Sequence, residues 1–412
     1  MKITKTIYIF IHLLLAVSFW NFAPLSFLNR DIIFFLTMIW SISAGIIFKR
    51  PINQQLNSLK YKNNFYWLML AIMISMISAD LFWNQSLSTT FITQRFAYPF
   101  VALLSLLYIQ PTDKEIINAL KWISIGTIIM WCVTIFSPQS ILSYGEIDEE
   151  RTLREINIGF YVSGIQFVLI YLYFLIQDYI GSFSIKKFIP AILLVLFFIL
   201  YQNRSMLIGV ILVFIYSIFK LKSKYKILLS SIMAAILIVL IINTSNIWTL
   251  LLENTQVEVL NDDYARWKAL FYYFNDYSPN WFCYIFGNGM PSGGNSAFGN
   301  LMWQNMDDGI YASDLGMIGM WTTYGLIPII IIYLIVFNIL IKSHFPLMLK
   351  FMCIHILIVP TIFHFWENPG VFFFCIIIYL YAYFQENKNA QIHAGNYNRQ
   401  LQKRRANHII YS

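Results

Sequence analysis

Three segments, Asp262-Asp-Tyr-Ala-Arg-Trp-Lys-Ala-Leu-Phe271, Gly287-Asn-Gly-Met-Pro-Ser-Gly-Gly294 and the pair Asp307-Asp308, fall in one stretch, Thr244–Ser313. These roughly seventy residues interrupt a chain that otherwise reads as apolar blocks. Of its 412 residues 58% are hydrophobic, 18% aromatic and only 12% charged, where a soluble protein carries about a quarter charged. A block of about twenty apolar residues crosses a hydrocarbon core of roughly 30 Å. The expected class is therefore all-α and polytopic. A transmembrane β-barrel would show short alternating segments instead.

About twelve spans are expected, near 6–28, 31–48, 65–82, 92–110, 117–137, 157–177, 187–202, 205–221, 227–243, 314–341, 348–364 and 369–385. This divides the chain into a bundle (1–243), the long loop (244–313), three closing spans (314–385) and a basic tail (386–412). The start, Met1-Lys-Ile-Thr-Lys5 before an apolar run, resembles a signal peptide without a small-x-small cleavage site, so it reads as an uncleaved first helix.

The net charge of +8 does not point to nucleic acid, because the basic residues sit in alternate short loops. Grouping those loops with both termini places 21 of the 28 Lys and Arg on one side, which becomes the cytoplasmic side. Both termini are then cytoplasmic and the long loop is outside. Seven basic residues remain outside: Arg30, Arg95, Arg151, Arg154, Arg204, Arg266 and Lys268. Six are arginine, whose planar fork of donors matches phosphate and keeps its charge.

Arg151 and Arg154 have acids four residues away, Glu155 and Glu150, so a solvated helix with local ion pairs accounts for them as well as function does. Arg95 lies a turn inside its span before Pro99, and Arg204 lies between two spans in Gln202-Asn-Arg-Ser205. Neither has a carboxylate within four residues, and such groups either snorkel to headgroups or face a wet cavity. Asp262 or Asn261 can cap a helix with Trp267, Leu270/Phe271 and Phe274 on one apolar face, fit to lie in the interface or over the bundle. Asp262 is also a local partner for Arg266.

Gly287–Gly294 lacks the Gly-Lys-Ser/Thr ending of a P-loop and reads as a flexible segment able to shape itself around a ligand. Trp281, Tyr284, Asn288, Asn295, Trp303, Gln304 and Asn305 offer the aromatic and amide groups that sugars bind. Asp307, Asp308 and Asp314 fit a base, a hydroxyl-orienting pair or a cation site, and equally fit the start of a helix. His364 and Glu367 sit in the last outer turn. The four cysteines show neither disulfide nor metal-ligand spacing.

Three features carry a family resemblance: Gln202-Asn-Arg-Ser205 between mid-chain spans; Arg266-Trp-Lys-Ala-Leu270 followed by Phe286-Gly-Asn-Gly289; and the loop exit Ser313-Asp-Leu-Gly-Met-Ile-Gly-Met320 with Tyr324-Gly325. The chain resembles the O-antigen polymerase (Wzy) and O-antigen ligase superfamily of bacterial surface-polysaccharide assembly. It lacks the histidine that ligases carry before the loop exit; Gln304-Asn-Met-Asp-Asp-Gly309 stands there. The resemblance implies a helical membrane glycosyltransferase, free of metal and cofactor, acting on undecaprenyl-diphosphate-linked oligosaccharides. It also implies chain-length regulator and flippase proteins as partners, beside the lipid bilayer. On that footing Arg204, Arg266 and Asp308 are the expected catalytic residues. Arg95, Arg151, Arg154, Asp307, Asp314 and His364 are the expected substrate contacts. The rival readings are a ligase and a lipid-linked-sugar transporter, though no repeat relates two halves of the chain as transporters often show.

Overall fold

The computed structural model describes residues 4–25, 27–28, 30–48, 62–136, 162–182, 185–201, 204–220, 265–293, 296–358 and 369–388. Among them every regular element is helical. In chain order these are α1 (Lys5–Ala16), α2 (Arg30–Phe48), α3 (Lys62–Trp83), α4 (Leu87–Thr93), α5 (Val101–Ile109), α6 (Asp113–Phe136), α7 (Ile165–Ser182), α8 (Ile185–Leu200) and α9 (Arg204–Lys220). The second part of the chain forms α10 (Ala265–Asn275), α11 (Trp281–Phe286), α12 (Ala297–Asp307), α13 (Met317–Tyr324), α14 (Leu326–Ile341) and α15 (Leu347–Ile358). The last described helix is α16 (Pro369–Lys388).

Among the described residues five helices are long and apolar enough to cross a membrane, and a sixth crossing arises if α4 and α5 form one span bent by 65°. Four more apolar helices are shorter. The helices turn apolar side chains outward: Phe35, Ile39, Ile42 and Ile46 form an exposed stripe on α2, and Leu70, Met73, Ile77 and Leu81 one on α3. Thr37, Ser41, Ser75 and Ser78 are buried instead. The hydroxyls of Thr37, Ser41 and Ser75 return hydrogen bonds to carbonyls one turn earlier. An apolar exterior over a polar-speckled interior suits lipid, where small hydroxyl residues allow close helix contact. The protein is a helical membrane protein. Its centre is α16, 78% of which is buried.

Three expected spans are corrected, and the span at 227–243 lies outside the described residues. The first, 6–28, is not one helix: α1 stops at Ala16, and Ser18 to Asn21 all take left-handed backbone angles. The turn swings Trp20 onto α6, where its indole donates to Thr127 at 2.9 Å. The fourth, 92–110, is broken by the 3-10 segment Gln94–Phe100, which contains Pro99. The tenth, 314–341, is split at Gly325 into α13 and α14.

The bundle has two chemically different ends. Lys5 Nζ donates to Gln110 O at 2.8 Å, and Tyr379 OH donates to Pro111 O. Lys388 reaches His344, and Met348 N donates to Gln177. These contacts gather the start of α1, the α5–α6, α7–α8 and α14–α15 turns and the end of α16 at one lysine-rich end. The opposite end is marked by Trp83, and there residues 265–325 fold back onto the helices.

Candidate functional site

The segment from α10 to α13 is a folded unit seated on Trp83. Ala269, Tyr273 and Tyr277 pack with Phe298, Ala312 and Leu315 around it. Trp83 stacks on Phe298 with ring centroids 4.4 Å apart. Burial raises the proton affinity of the Tyr273 and Tyr277 hydroxyls, so both stay neutral. α11 wedges the unit against α3, α13 and α14. On α10 the expected apolar stripe divides: Trp267 and Phe271 are exposed, Phe274 is exposed but meets the edge of the Trp321 ring, and Leu270 joins Ala269 and Tyr273 in the contacts.

The described part of the glycine-rich run, 287–293, is packed into the fold at its start rather than free to shape itself around a ligand, which corrects that expectation there. Gly287, Asn288 and Gly289 are buried and laid along the break between α13 and α14. A helix that ends inside a bundle leaves carbonyls without partners. Here Asn288 N donates to Thr322 O and Gly289 N to Thr323 O, both at 2.9 Å. The Asn288 side chain donates to Ser278 and Thr322 O and accepts from the Trp83 indole, each at 2.9 Å. Gly287 has φ +85°, and a Cβ there would sit 2.3 Å from Thr323 O, so a side chain is excluded on both counts.

Further along, Gln85 accepts from Ser292 N and Ser296 and donates to Met290 O; Thr93 also donates to Met290 O. The strap therefore ties α3, α4, α12 and α13 together. Asn288→Ala strands the Trp83 indole and leaves the Thr322 carbonyl only its backbone donor, and a buried group left unmet costs about 1–3 kcal/mol. A thermal unfolding midpoint lowered by several degrees in detergent is expected.

Asp307 and Asp308 are exposed, and they do not start a helix as one sequence reading allowed. Asp307 ends α12 and Asp308 caps it, its N–H donating to Gln304 O at 3.1 Å. That is the negative end of the helix dipole, where a carboxylate is disfavoured by about 0.3–1 kcal/mol. For these two acids the helix-start explanation is overturned. The acids continue a stripe the sequence reading missed: Asn300, Trp303, Gln304, Asp307 and Asp308 are all exposed, at the spacing that puts them on one helical face. Phe298, Met302 and Asn305 point the other way into the unit, Asn305 donating to Tyr272 OH at 3.0 Å. The stripe sets an indole, 53% exposed, among two amides and two carboxylates. Only the alternation of 300, 303, 304 and 307 pointed to it beforehand.

Several other expected sugar contacts have internal work instead. Asn288 and Asn305 are buried, and Tyr284 OH donates to Phe274 O. Cys283 is fully buried, and burial pushes its thiol up to about 11.

The arginines divide. Arg266 is the second residue of α10, which packs against the Ala312–Leu315 turn that carries Asp314. The elements bearing Arg266, Asp308 and Asp314 thus belong to one packed unit. Arg204 opens α9, at the end of the bundle away from the lysines. Arg95 does have an acid partner: its Nε lies 2.7 Å from Asp31 of α2, and Nη1 donates to Ile92 O. The pair is partly exposed and worth at most about 1 kcal/mol, but it gives Arg95 a structural occupation at the α4–α5 break. Arg151, Arg154 and His364 lie outside the described residues.

Among the described residues no three His, Cys, Asp or Glu side chains converge as a metal would require. No family model, curated protein or solved structure matches the chain.

Proposed function

We propose that the protein is a membrane glycosyltransferase of the polymerase type. It joins undecaprenyl-diphosphate-linked oligosaccharide units into a surface polysaccharide at the outer face of a bacterial cytoplasmic membrane. In this reading the lysine-rich end faces the cytoplasm, about twelve spans cross the bilayer, and the unit on Trp83 is the outer loop.

The observation that carries the reading is the exposed face of α12. Two carboxylates stand at the wrong end of a helix, in line with an exposed tryptophan and two amides. Fold stability does not call for that arrangement, and saccharide recognition uses those groups. A sugar ring stacks its C–H face on an indole, while amides and carboxylates take its hydroxyls.

In the proposed reaction a hydroxyl of one lipid-linked unit attacks the anomeric carbon of another. The bond from that carbon to the phosphate oxygen breaks, and undecaprenyl diphosphate leaves with the electron pair. Asp308 orients the hydroxyl and takes its proton. Arg204 and Arg266 stabilise the charge that grows on the diphosphate. Arg95, Arg151, Arg154, Asp307, Asp314 and His364 are supporting contacts, Arg95 the least so given its pairing with Asp31.

Deleting the gene and resolving the surface polysaccharide on a gel tests the assignment. A polymerase loss leaves single repeat units on the lipid. Long polymer that never reaches its acceptor indicates a ligase, and units trapped inside indicate a flippase. Polymer of normal length in the deletion strain rejects the proposal. At the α12 face, Trp303→Ala is expected to raise the KM for acceptor about fivefold, equivalent to ~1 kcal/mol of ring contact. Trp303→Phe restores most of it. Steady-state kinetics on both variants check this.

A further inference from the structure

The lysine-rich end holds a cluster that the glycosyltransferase reading does not use. Lys342, His344 and Lys350 come from the α14–α15 turn and the start of α15, and Lys388 from the end of α16. Lys388 Nζ lies 3.4 Å from His344 Nδ1, and His344 Nε2 lies 3.1 Å from Gln385 Oε1. These partners assign the tautomer: Nδ1 accepts from the ammonium, and Nε2–H donates to the amide oxygen. The imidazole is neutral. Its pKa is lowered first by burial and then by Lys388, with Lys342 and Lys350 adding to the effect. The charges acting on it are all positive.

One compensation is local. Lys350 Nζ donates to Leu340 O at 3.3 Å, at the C-terminus of α14. A helix end supplies about half a negative charge, against three ammonium groups. Three ammonium groups thus converge on one imidazole, and an anion seated among them would ease their mutual repulsion.

Next to it lies a cavity of about 410 Å³ between α7 and the α14–α15 turn, with Gln177, Ser343, Phe345, Leu347 and Lys350 in its wall. Lys350 is only 6% exposed, so its charge is presented from within the wall rather than from a surface tether. From Ser343 back along α14 the outer surface turns apolar: Ile341 is 80% exposed, Phe337 50% and Leu334 63%. A cationic seat at the foot of an apolar strip is the complement of a molecule with a phosphate head and hydrocarbon tails.

We propose that this end of the bundle binds an anionic glycerophospholipid, its phosphate at Lys342, Lys350 and Lys388 and its acyl chains along Leu334, Phe337 and Ile341. A free phosphate shares the head chemistry but not the tails. The site lies at the end of the bundle away from the α12 face, so it stands or falls independently of the polymerase reading.

The full chain is purified in detergent and titrated with phosphatidylglycerol, with phosphatidylcholine, and with inorganic phosphate. Native mass spectrometry counts retained lipid, and thermal unfolding reports stabilisation. Phosphatidylglycerol is expected to be retained at least tenfold better than phosphatidylcholine, with no comparable stabilisation by millimolar inorganic phosphate. Each lysine near a lipid surface is worth about a fivefold change in binding. Lys342→Gln with Lys388→Gln is therefore expected to weaken retention roughly twenty-five-fold, with unfolding of the lipid-free protein unchanged. Equal retention of the two lipids by the unmodified chain overturns the proposal. So does undiminished retention in the double variant. Stabilisation by inorganic phosphate matching that by phosphatidylglycerol overturns the lipid assignment in favour of a soluble phosphate site. The comparison of the two lipids needs no variant and stands even if the double variant unfolds.

Discussion

Replacing Gly299 with alanine is expected to unseat the loop unit from the bundle. Gly299 is in the first turn of α12, and a Cβ there would fall 1.6 Å from Ser292 O. The obstacle is backbone, not the end of a flexible side chain, so either α12 or the strap has to move. Neither moves cheaply. Gly299 N donates to Ser296 Oγ, which bonds in turn to Gln85 and Ser292 O. Ser292 N is held by Gln85, and Met290 O by Thr93 and Gln85. The expected cost exceeds about 4 kcal/mol, in the range that marks a disrupted core.

Cys283 supplies the readout. It is fully buried, and its thiol is held near 11, far above the ordinary value. In the native protein it resists maleimide, since only the thiolate reacts appreciably. With the lipid-facing Cys132 replaced by serine, Gly299→Ala is expected to make Cys283 label rapidly and to lower the melting temperature. Full protection of Cys283 with an unchanged melting temperature would show that α12 does not rest on the strap.

Arg204→Lys and Arg266→Lys are each expected to reduce chain growth by a factor of about 100–1,000, while the protein still inserts and folds. Lysine keeps the charge but loses the planar fork that grips two oxygens at once. If the arginines only balanced headgroup charge, lysine would serve as well and activity would survive. If they stabilise the departing diphosphate, the loss falls on kcat, at the size seen when one pre-positioned donor is removed from a transition-state site. Arg95→Lys is the control. Its contacts include the ion pair to Asp31 and the bond to Ile92 O, and an ammonium can replace the ion pair, so a much smaller loss is expected. Chain growth retained in either of the first two variants removes that residue from the site.

Much of the fold was legible because lipid imposes a simple rule on sequence. Apolar runs near twenty residues predicted α2, α3, α6 and α16 to within a few positions, while α7 begins eight positions after the expected start at 157. The breaks were not legible, since each depends on a distant partner. The split at Gly325 is stable because the strap, some 36 positions earlier, meets the freed carbonyls of Thr322 and Thr323. Flexible glycine and tightly packed glycine look alike in a sequence, so Gly287–Gly294 was read as pliable. Gly287 and Gly299 are glycine because backbone passes where a Cβ would be. The partner of Arg95 was hidden for the same reason: Asp31 lies 64 positions away and meets it only after α2 docks. Asp307 and Asp308 were seen as a pair, but their meaning changed once α12 was found to end there rather than begin.

Reconstitution tests the central claim most directly. Lipid-linked oligosaccharides extracted from a strain lacking the protein are mixed in vesicles with the purified chain, and the products are resolved on a gel. The account predicts a ladder of lipid-linked polymers spaced by one repeat unit, formed without nucleotide sugar and abolished by Arg266→Lys. Single units that persist unchanged in the presence of the folded, inserted protein would contradict it.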